Sequence, residues 1–392
     1  MSTSSSLYSH HWSLYPRTYY VHPAPYSFLD KIDGDLTKDV WEDVPWSEPF
    51  GDIQGSDSAN AQKHVPAVTQ FRALYDDTHL YISAILDPSP DFNTQAHFTE
   101  RNEPIFQKDS DFEVFIDVWN QNHQYKELEV NAINTVWNLL LDRPYSDGGS
   151  EHSGRIAQPG QDQFYEVYHQ KTAARVLEGK VNDDQTGNGA KWCVEMALAY
   201  QDLFATTSQL ESTTNPTQLP KILPGTIWRI NFSRVELQGE VNWTWQPQVV
   251  WDPQSHLHEG KINMHLPDAW GYLVFKDKSD KEKLVRDPFW PLRLTCMNVY
   301  YAQAHFYELN GCYAISMESL MPFVDPHIVK PFEIEITSPA NGNMDPKNTS
   351  PSSYTATVRE MKGAGTKVAT ICHDRLLKVS DSSGYTTSMV KD

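Results

Sequence analysis

Alternation between apolar and polar side chains dominates the chain from about residue 68 to 275. In DFEVFIDVW (111–119), Phe112, Val114 and Ile116 take one side, while Asp111, Glu113, Phe115 and Asp117 take the other. That period of two marks a strand with one apolar face. YKELEVNAI (125–133) repeats it, with Leu128 and Val130 opposed to Tyr125, Glu127, Glu129 and Asn131. VTQFRALYDDTHLYISAIL (68–86) places two apolar runs around Asp-Asp-Thr-His and predicts a hairpin. KWCVEMALAY (191–200) and TIWRINFSRVEL (226–237) alternate as well, and GYLVF (271–275) closes the series. Polar loops rich in Gly, Asn, Asp and Gln separate these runs at 143–163, 180–190 and 205–222. Many alternating strands with few helical periods predict a mainly β fold, an antiparallel β-sandwich.

The pattern changes after Asp277. KDKSDKEK reads as a charged linker, and DPFWPLRLTCMNVYYAQAHFYELNG reads as a helix. Pro288 and Pro291 suit its first turn, and Asn310-Gly311 suit its C-terminal cap. Leu294, Met297, Tyr301, Ala304 and Tyr307 recur near helical spacing. Segments 332–337, 354–360, 366–372 and 375–379 read as short strands. The expected organisation is an N-terminal arm over 1–28, a sandwich over 29–277 and a small α+β appendage over 281–380. A Ser-, Thr- and Gly-rich tail over 381–392 is expected to be disordered.

The formal charge of −19 is spread along 392 residues. Such a surface repels phosphate backbones and anionic leaflets, which excludes nucleic acid and membrane surfaces as expected partners. No apolar run has the length of a membrane helix, and no signal peptide is visible. Cys193, Cys296, Cys312 and Cys372 are too few and too scattered for a disulfide framework or a zinc knuckle. These features predict a soluble, cytoplasmic protein. The sequons at Asn231, Asn242 and Asn348 matter only in a secreted chain, and Asn231 falls in an expected strand.

If strands 111–117 and 125–131 pair, Asp111, Glu113, Glu127 and Glu129 crowd one sheet face. Like charges facing each other across a sheet are destabilising, so they need cations, a metal or water. One reading is a solvated face with surface ion pairs. The other is a polar groove for a hydroxyl-rich ligand, with Asn131, Arg229 and Asn231 beside the acids. Two carboxylates on adjacent strands also reach the spacing a glycosidase uses, a weak signal by itself. Trp137, Trp243, Trp245, Trp251 and Trp270 either stack on a sugar ring or fill the core. Trp245 and Trp251 lie in a Pro-flanked, loop-like stretch that favours exposure. His256, His258 and His265 with Glu259 match no closed zinc pattern. Asp30, Asp33 and Asp35 around Gly34 offer oxygens to calcium without EF-hand spacing, and an Asp-Gly turn is the simpler reading.

Taken in order, IDGDLTKDVWED, FRALYDDTHLYISAIL, DFEVFIDVW, YKELEVNAINTVWNLLL, KWCVEMAL, WRINFSRVE and INMHLPDAWGYLVF resemble the family-9 carbohydrate-binding modules. The likeness is stronger to the larger family-9-like proteins and covers about residues 29–277. It implies a sandwich of two antiparallel sheets, and any metal it implies is structural calcium. In the sugar-binding members two tryptophans clamp a terminal sugar while a Glu, an Arg and amides bond its hydroxyls. The resemblance places Glu113 at that Glu and Glu129 where the Arg would stand. It puts Phe106 or Gln107, and Met264, where the clamp tryptophans would fall. The fold pattern matches while the clamp does not. His265, beside Met264, and Trp251 complete the expected ligand-binding set.

Three functions remain open at this point. The first is a non-catalytic carbohydrate-binding protein that uses the acidic sheet face and needs no cofactor. The second is an enzyme on the same scaffold, a glycan hydrolase or a small-molecule isomerase or cyclase, with Glu113, Glu127 and Glu129 as acid and base. The third is an interaction scaffold that docks partners through the C-terminal unit.

Overall fold

The computed structural model describes residues 7–56, 64–185, 187, 189–210, 219–277, 284–338, 352–360 and 367–382. Most of the expected linker (278–283), most of the expected tail (383–392), the Asn348 sequon and position 366 lie outside them. The strands that position the site are Thr18–Pro23 (β1), Thr69–Tyr75 (β2), His79–Leu86 (β3), Asp111–Asp117 (β4), Tyr125–Asn131 (β5) and Val136–Leu141 (β6). They continue with Lys171–Glu178 (β7), Lys191–Ala199 (β8), Ile227–Glu236 (β9), Val241–Thr244 (β10) and Gly271–Phe275 (β11). Among the described residues they belong to one curled 13-stranded sheet. One layer runs β6-β5-β4-β9-β11 and the other β2-β3-β8-β7, with β1 between them.

β1 is parallel to both of its neighbours. Thr18–Val21 pair with Tyr272–Phe275 of β11, and His22 and Pro23 pair with Leu74 and Tyr75 of β2. The expected surface arm is therefore partly a sheet strand, and the sandwich is mixed rather than wholly antiparallel. The physical reason is burial: Tyr19 and Val21 point into the core, at 6% and 0% exposure. Gly271 permits this approach, because a Cβ there would stand 2.9 Å from the Arg17 carbonyl oxygen and 2.4 Å from the Trp245 ring.

The inner faces of the two layers hold the side chains that alternation assigned to them. Phe112, Val114 and Ile116 meet Phe71, Phe232, Trp228 and Trp243 in the main core. Phe71 and Phe232 stack at 3.8 Å. Truncating such a ring costs about 3–5 kcal/mol.

The long helix spans Trp290–Asn310, with Pro291 in its first turn and Gly311 in the left-handed conformation that ends it. Pro288 precedes the helix rather than opening it. Cys296 and Val299 pack on a four-stranded antiparallel sheet over residues 332–380. Tyr301 and Leu294 turn towards the sandwich, and Tyr307 is exposed. Arg375 of this unit bonds two acids of the sandwich segment, Asp147 at 2.8 Å and Asp268 at 2.9 Å. No helix among the described residues is long and apolar enough to cross a membrane.

Candidate functional site

The odd positions of β4 and β5 face away from the core, and the ladder brings their acids together. Glu113 stands directly opposite Glu129, and Phe115 opposite Glu127. Trp137 of β6 is the next residue across from Glu129. On the other side of β4, Ser233 of β9 stands opposite Glu113. Over this face lie the short turn Ile105–Gln107, Tyr145, Arg155 and the segment 262–265. Together they enclose a cleft of about 520 Å³. Small-molecule sites commonly measure about 300–1,000 Å³.

The cleft has an aromatic wall and an acidic floor. Phe106 stacks on Trp137, with ring centres 5.3 Å apart and planes 21° apart. Arg155 lies 5.0 Å over the Trp137 ring and pairs with Glu151. Tyr145 packs edge-on against His265 at 4.7 Å, and the residue is 45% exposed. Met264 is held because its carbonyl accepts the Trp270 indole N–H at 2.8 Å. His265 Nδ1 meets the Tyr125 hydroxyl at 3.0 Å, and its Nε2 is 3.9 Å from Glu127. Desolvation pushes the His265 pKa down to about 4, so its ring is neutral near pH 7.

Among the described residues, Glu113, Glu127 and Glu129 of the floor, and Asp111 behind Glu113, are buried without cationic partners. Asp111, Glu113, Glu127 and Glu129 are 0–5% exposed. Burial pushes Glu113 up to about 8. Asp111, Glu127 and Glu129 are raised well above their ordinary values, first by burial and then by the charge of Glu113. Both Asp111 carboxylate oxygens, Glu127 Oε2 and Glu129 Oε2 lack a well-formed hydrogen bond, with only the Val235 amide near Asp111 and with Glu127 and Glu129 facing each other. A floor of this kind accepts hydrogen bonds where a carboxylate is charged and donates one where a carboxyl holds its proton. A polyol, whose hydroxyls do both, matches that mixture.

No protein-family model and no curated protein matches the chain. Solved structures do. A candidate carbohydrate-binding protein from Bacteroides uniformis is similar over 67% of this chain and 100% of its own, at 14% identity and a TM-score of 0.44. Two structures of a family-9 carbohydrate-binding module from Caldicellulosiruptor kristjanssonii, with cellotriose and with glucose, are similar over 69% and 68% of this chain. Each is covered over 100% of its own length, at 15% and 16% identity and a TM-score of 0.36. The resemblance read from the sequence motifs falls on the same family.

Of the residues singled out in the sequence, Phe106, Glu113, Glu127, Glu129, Met264 and His265 line this one cleft. Four others do not. Asn131 is fully buried and bonds the Phe98 carbonyl and Asp109. Asn231 is spent on both backbone groups of Gln246. Arg229 donates to the Trp270 carbonyl at 2.6 Å and lies on the Tyr272 ring. Trp251 is 7% exposed and donates to the Phe323 carbonyl, against the C-terminal unit. The expected exposure of Trp245 also fails, at 0%.

Asp30, Asp33 and Asp35 do not converge. Asp30 pairs with Lys171, Asp33 with Lys38 and Arg175, and Asp35 accepts from Thr37. The four cysteines are unpaired. Sequence reasoning left Trp137 undecided between stacking and core, and it missed Tyr145, Arg155, Asn242 and Asn263 as lining residues. Trp137 carried a usable signal, its place shortly after β5 ends. Asn242 comes from β10, and Tyr145, Arg155 and Asn263 come from turns and loops whose return over the sheet is set by long-range packing.

Proposed function

We propose that the cleft binds a small carbohydrate or a similar hydroxyl-rich ligand, and that the protein acts by binding rather than by turnover. The observation that supports this most is the meeting of Glu113, Glu127 and Glu129 on the floor of one cleft, with carboxylate oxygens left without partners. Buried polar groups without partners cost about 1–3 kcal/mol each, so a fold keeps them where a ligand supplies what the chain does not. Phe106, backed by Trp137, offers an apolar surface to one face of a sugar ring. Met264 stands in the same cleft where a second aromatic would tighten the grip. Two of the similar solved structures hold glucose or cellotriose. The ligand class assigned to this chain rests on the cleft itself.

Titration calorimetry of the full chain with glucose, xylose, cellobiose and cellotriose at millimolar concentration tests this. Heat with at least one sugar, weakened about tenfold in Phe106→Ala and lost in Glu127→Gln, is expected. No heat with any of them contradicts the proposal.

A further inference from the structure

We propose that Asp111, Glu113 and Glu129 hold a calcium-class divalent cation at the floor of the cleft, and that its outward coordination positions meet the ligand's hydroxyls. The inference rests on the cleft being the ligand site and says how that site recognises its ligand.

The geometry points to an ion in three ways. One oxygen from each of the three carboxylates lies within 4.8 Å of the others. Oxygens held at 2.3–2.6 Å from calcium span up to about 5 Å across the ion. The three acids fit the calcium span as they stand. The second observation is a group outside the acid cluster. Ser233 Oγ is fully buried, lies beside the Glu113 carboxyl and makes no hydrogen bond outside the acid cluster. It stands opposite Glu113 in the ladder, on the same face of the sheet, and is a neutral oxygen of the kind calcium accepts.

The third observation is that no cation among the described residues neutralises the cluster. Asp111, behind Glu113 on the same strand, has no cationic partner among the described residues and no well-formed hydrogen bond, at 0% exposure. The nearest strong cation on β9, Arg234, is turned to the core side and paired with Glu236 at 2.7 Å. Three buried like charges with no internal counter-charge persist only by taking up protons or a cation. An all-oxygen set selects a hard ion over zinc.

Three carboxylates and one hydroxyl leave a calcium ion short of its usual six to eight oxygens unless several bind through both oxygens. Glu113 and Glu129 line the cleft, whereas Asp111 lies behind Glu113 on the same strand and outside the lining, so the ion's free positions face the cleft. Water fills those outer positions until neighbouring hydroxyls of a sugar displace it. Recognition of this kind selects vicinal diols, because two adjacent hydroxyls occupy adjacent coordination positions.

The test titrates calcium chloride into the EDTA-stripped full-length protein by calorimetry, and repeats the sugar titrations with calcium and with EDTA. Terbium luminescence excited through tryptophan reports the site separately, since Trp137 is the cross-strand neighbour of Glu129. One calcium per chain is expected, weakened at least tenfold in Asp111→Asn and in Glu129→Gln. Ser233→Ala weakens it less. Sugar affinity is expected to fall at least tenfold in EDTA.

Circular dichroism of the isosteric variants separates loss of the ion from loss of the fold. An absence of calcium binding at millimolar concentration overturns the inference. So does binding that both variants leave unchanged, which places the ion elsewhere. Sugar heat that is equal in calcium and EDTA overturns the inference while leaving the sugar cleft standing. Calcium bound at the three acids with no heat from any sugar keeps the cation and removes the sugar.

Discussion

Glu195 and Glu129 are both strand glutamates sealed from water, at 0% and 2% exposure. They lie on the outward faces of opposite layers, on β8 and β5. Glu195 accepts from the backbone N–H groups of Asp33 and Gly34, from the Lys38 ammonium at 2.6 Å and from the Trp41 indole at 2.8 Å. The loop that carries Asp30, Asp33 and Asp35 exists in this shape because it closes over that one carboxylate. Glu129 has another glutamate opposite it and an oxygen with no partner. The same chain thus surrounds one buried acid with donors and leaves a cluster of others bare. The difference separates a structural acid, whose partners are built in, from acids whose partners come from outside.

The comparison is broken most severely at Glu195. Glu195→Ala strands the Lys38 ammonium, the indole N–H and two amides, and is expected to lower unfolding free energy by about 3–5 kcal/mol in urea melts. A loss below about 1 kcal/mol would mean the loop does not depend on that carboxylate.

Lys126 is an intermediate case on the core side of β5. It is 3% exposed, and its ammonium donates to the Gln124 and Ala205 carbonyls. Burial lowers its pKa to about 7. Between about pH 7 and pH 10 the unfolded lysine therefore holds a proton that the folded one has lost. Stability from this group rises with pH across that window, by at most about 1.4 kcal/mol per pH unit. Lys126→Met is expected to flatten that slope in denaturant midpoints measured from pH 7 to 10. A wild-type slope of the opposite sign would contradict the burial argument.

A milder change sharpens the cleft side of the comparison. Phe106→Ala removes the exposed half of the aromatic wall without touching the acids. It is expected to weaken sugar binding about tenfold, roughly 1.4 kcal/mol. It should leave calcium binding within twofold. Equal loss of both would show that the wall and the acids are one structural unit.

Alternation made the strands legible, and with them the core and the meeting of Glu113 with Glu129. That meeting needs only the period of two and one correct pairing. The site failed to be legible where side-chain reach decides. Asn131, Asn231 and Arg229 sit on the expected outward faces, but each bonds backbone beside or beneath it, which face assignment cannot reveal. Trp251 reads as exposed until the C-terminal unit covers it. β1 was hidden for another reason. Its six residues follow a polar, unpatterned stretch, and its parallel pairing joins segments far apart in sequence. Proximity of that kind leaves no local signature.

The most direct measurement compares thermal unfolding of the wild type with the Asp111→Asn/Glu129→Gln double variant, each in EDTA and in excess calcium. In EDTA the double variant is expected to melt higher, because two uncompensated buried acids are gone. In calcium the order is expected to reverse, because only the wild type gains the ion. A wild type that melts higher in both buffers would show that the protein satisfies these acids by itself, and would contradict a cluster left open for an outside partner.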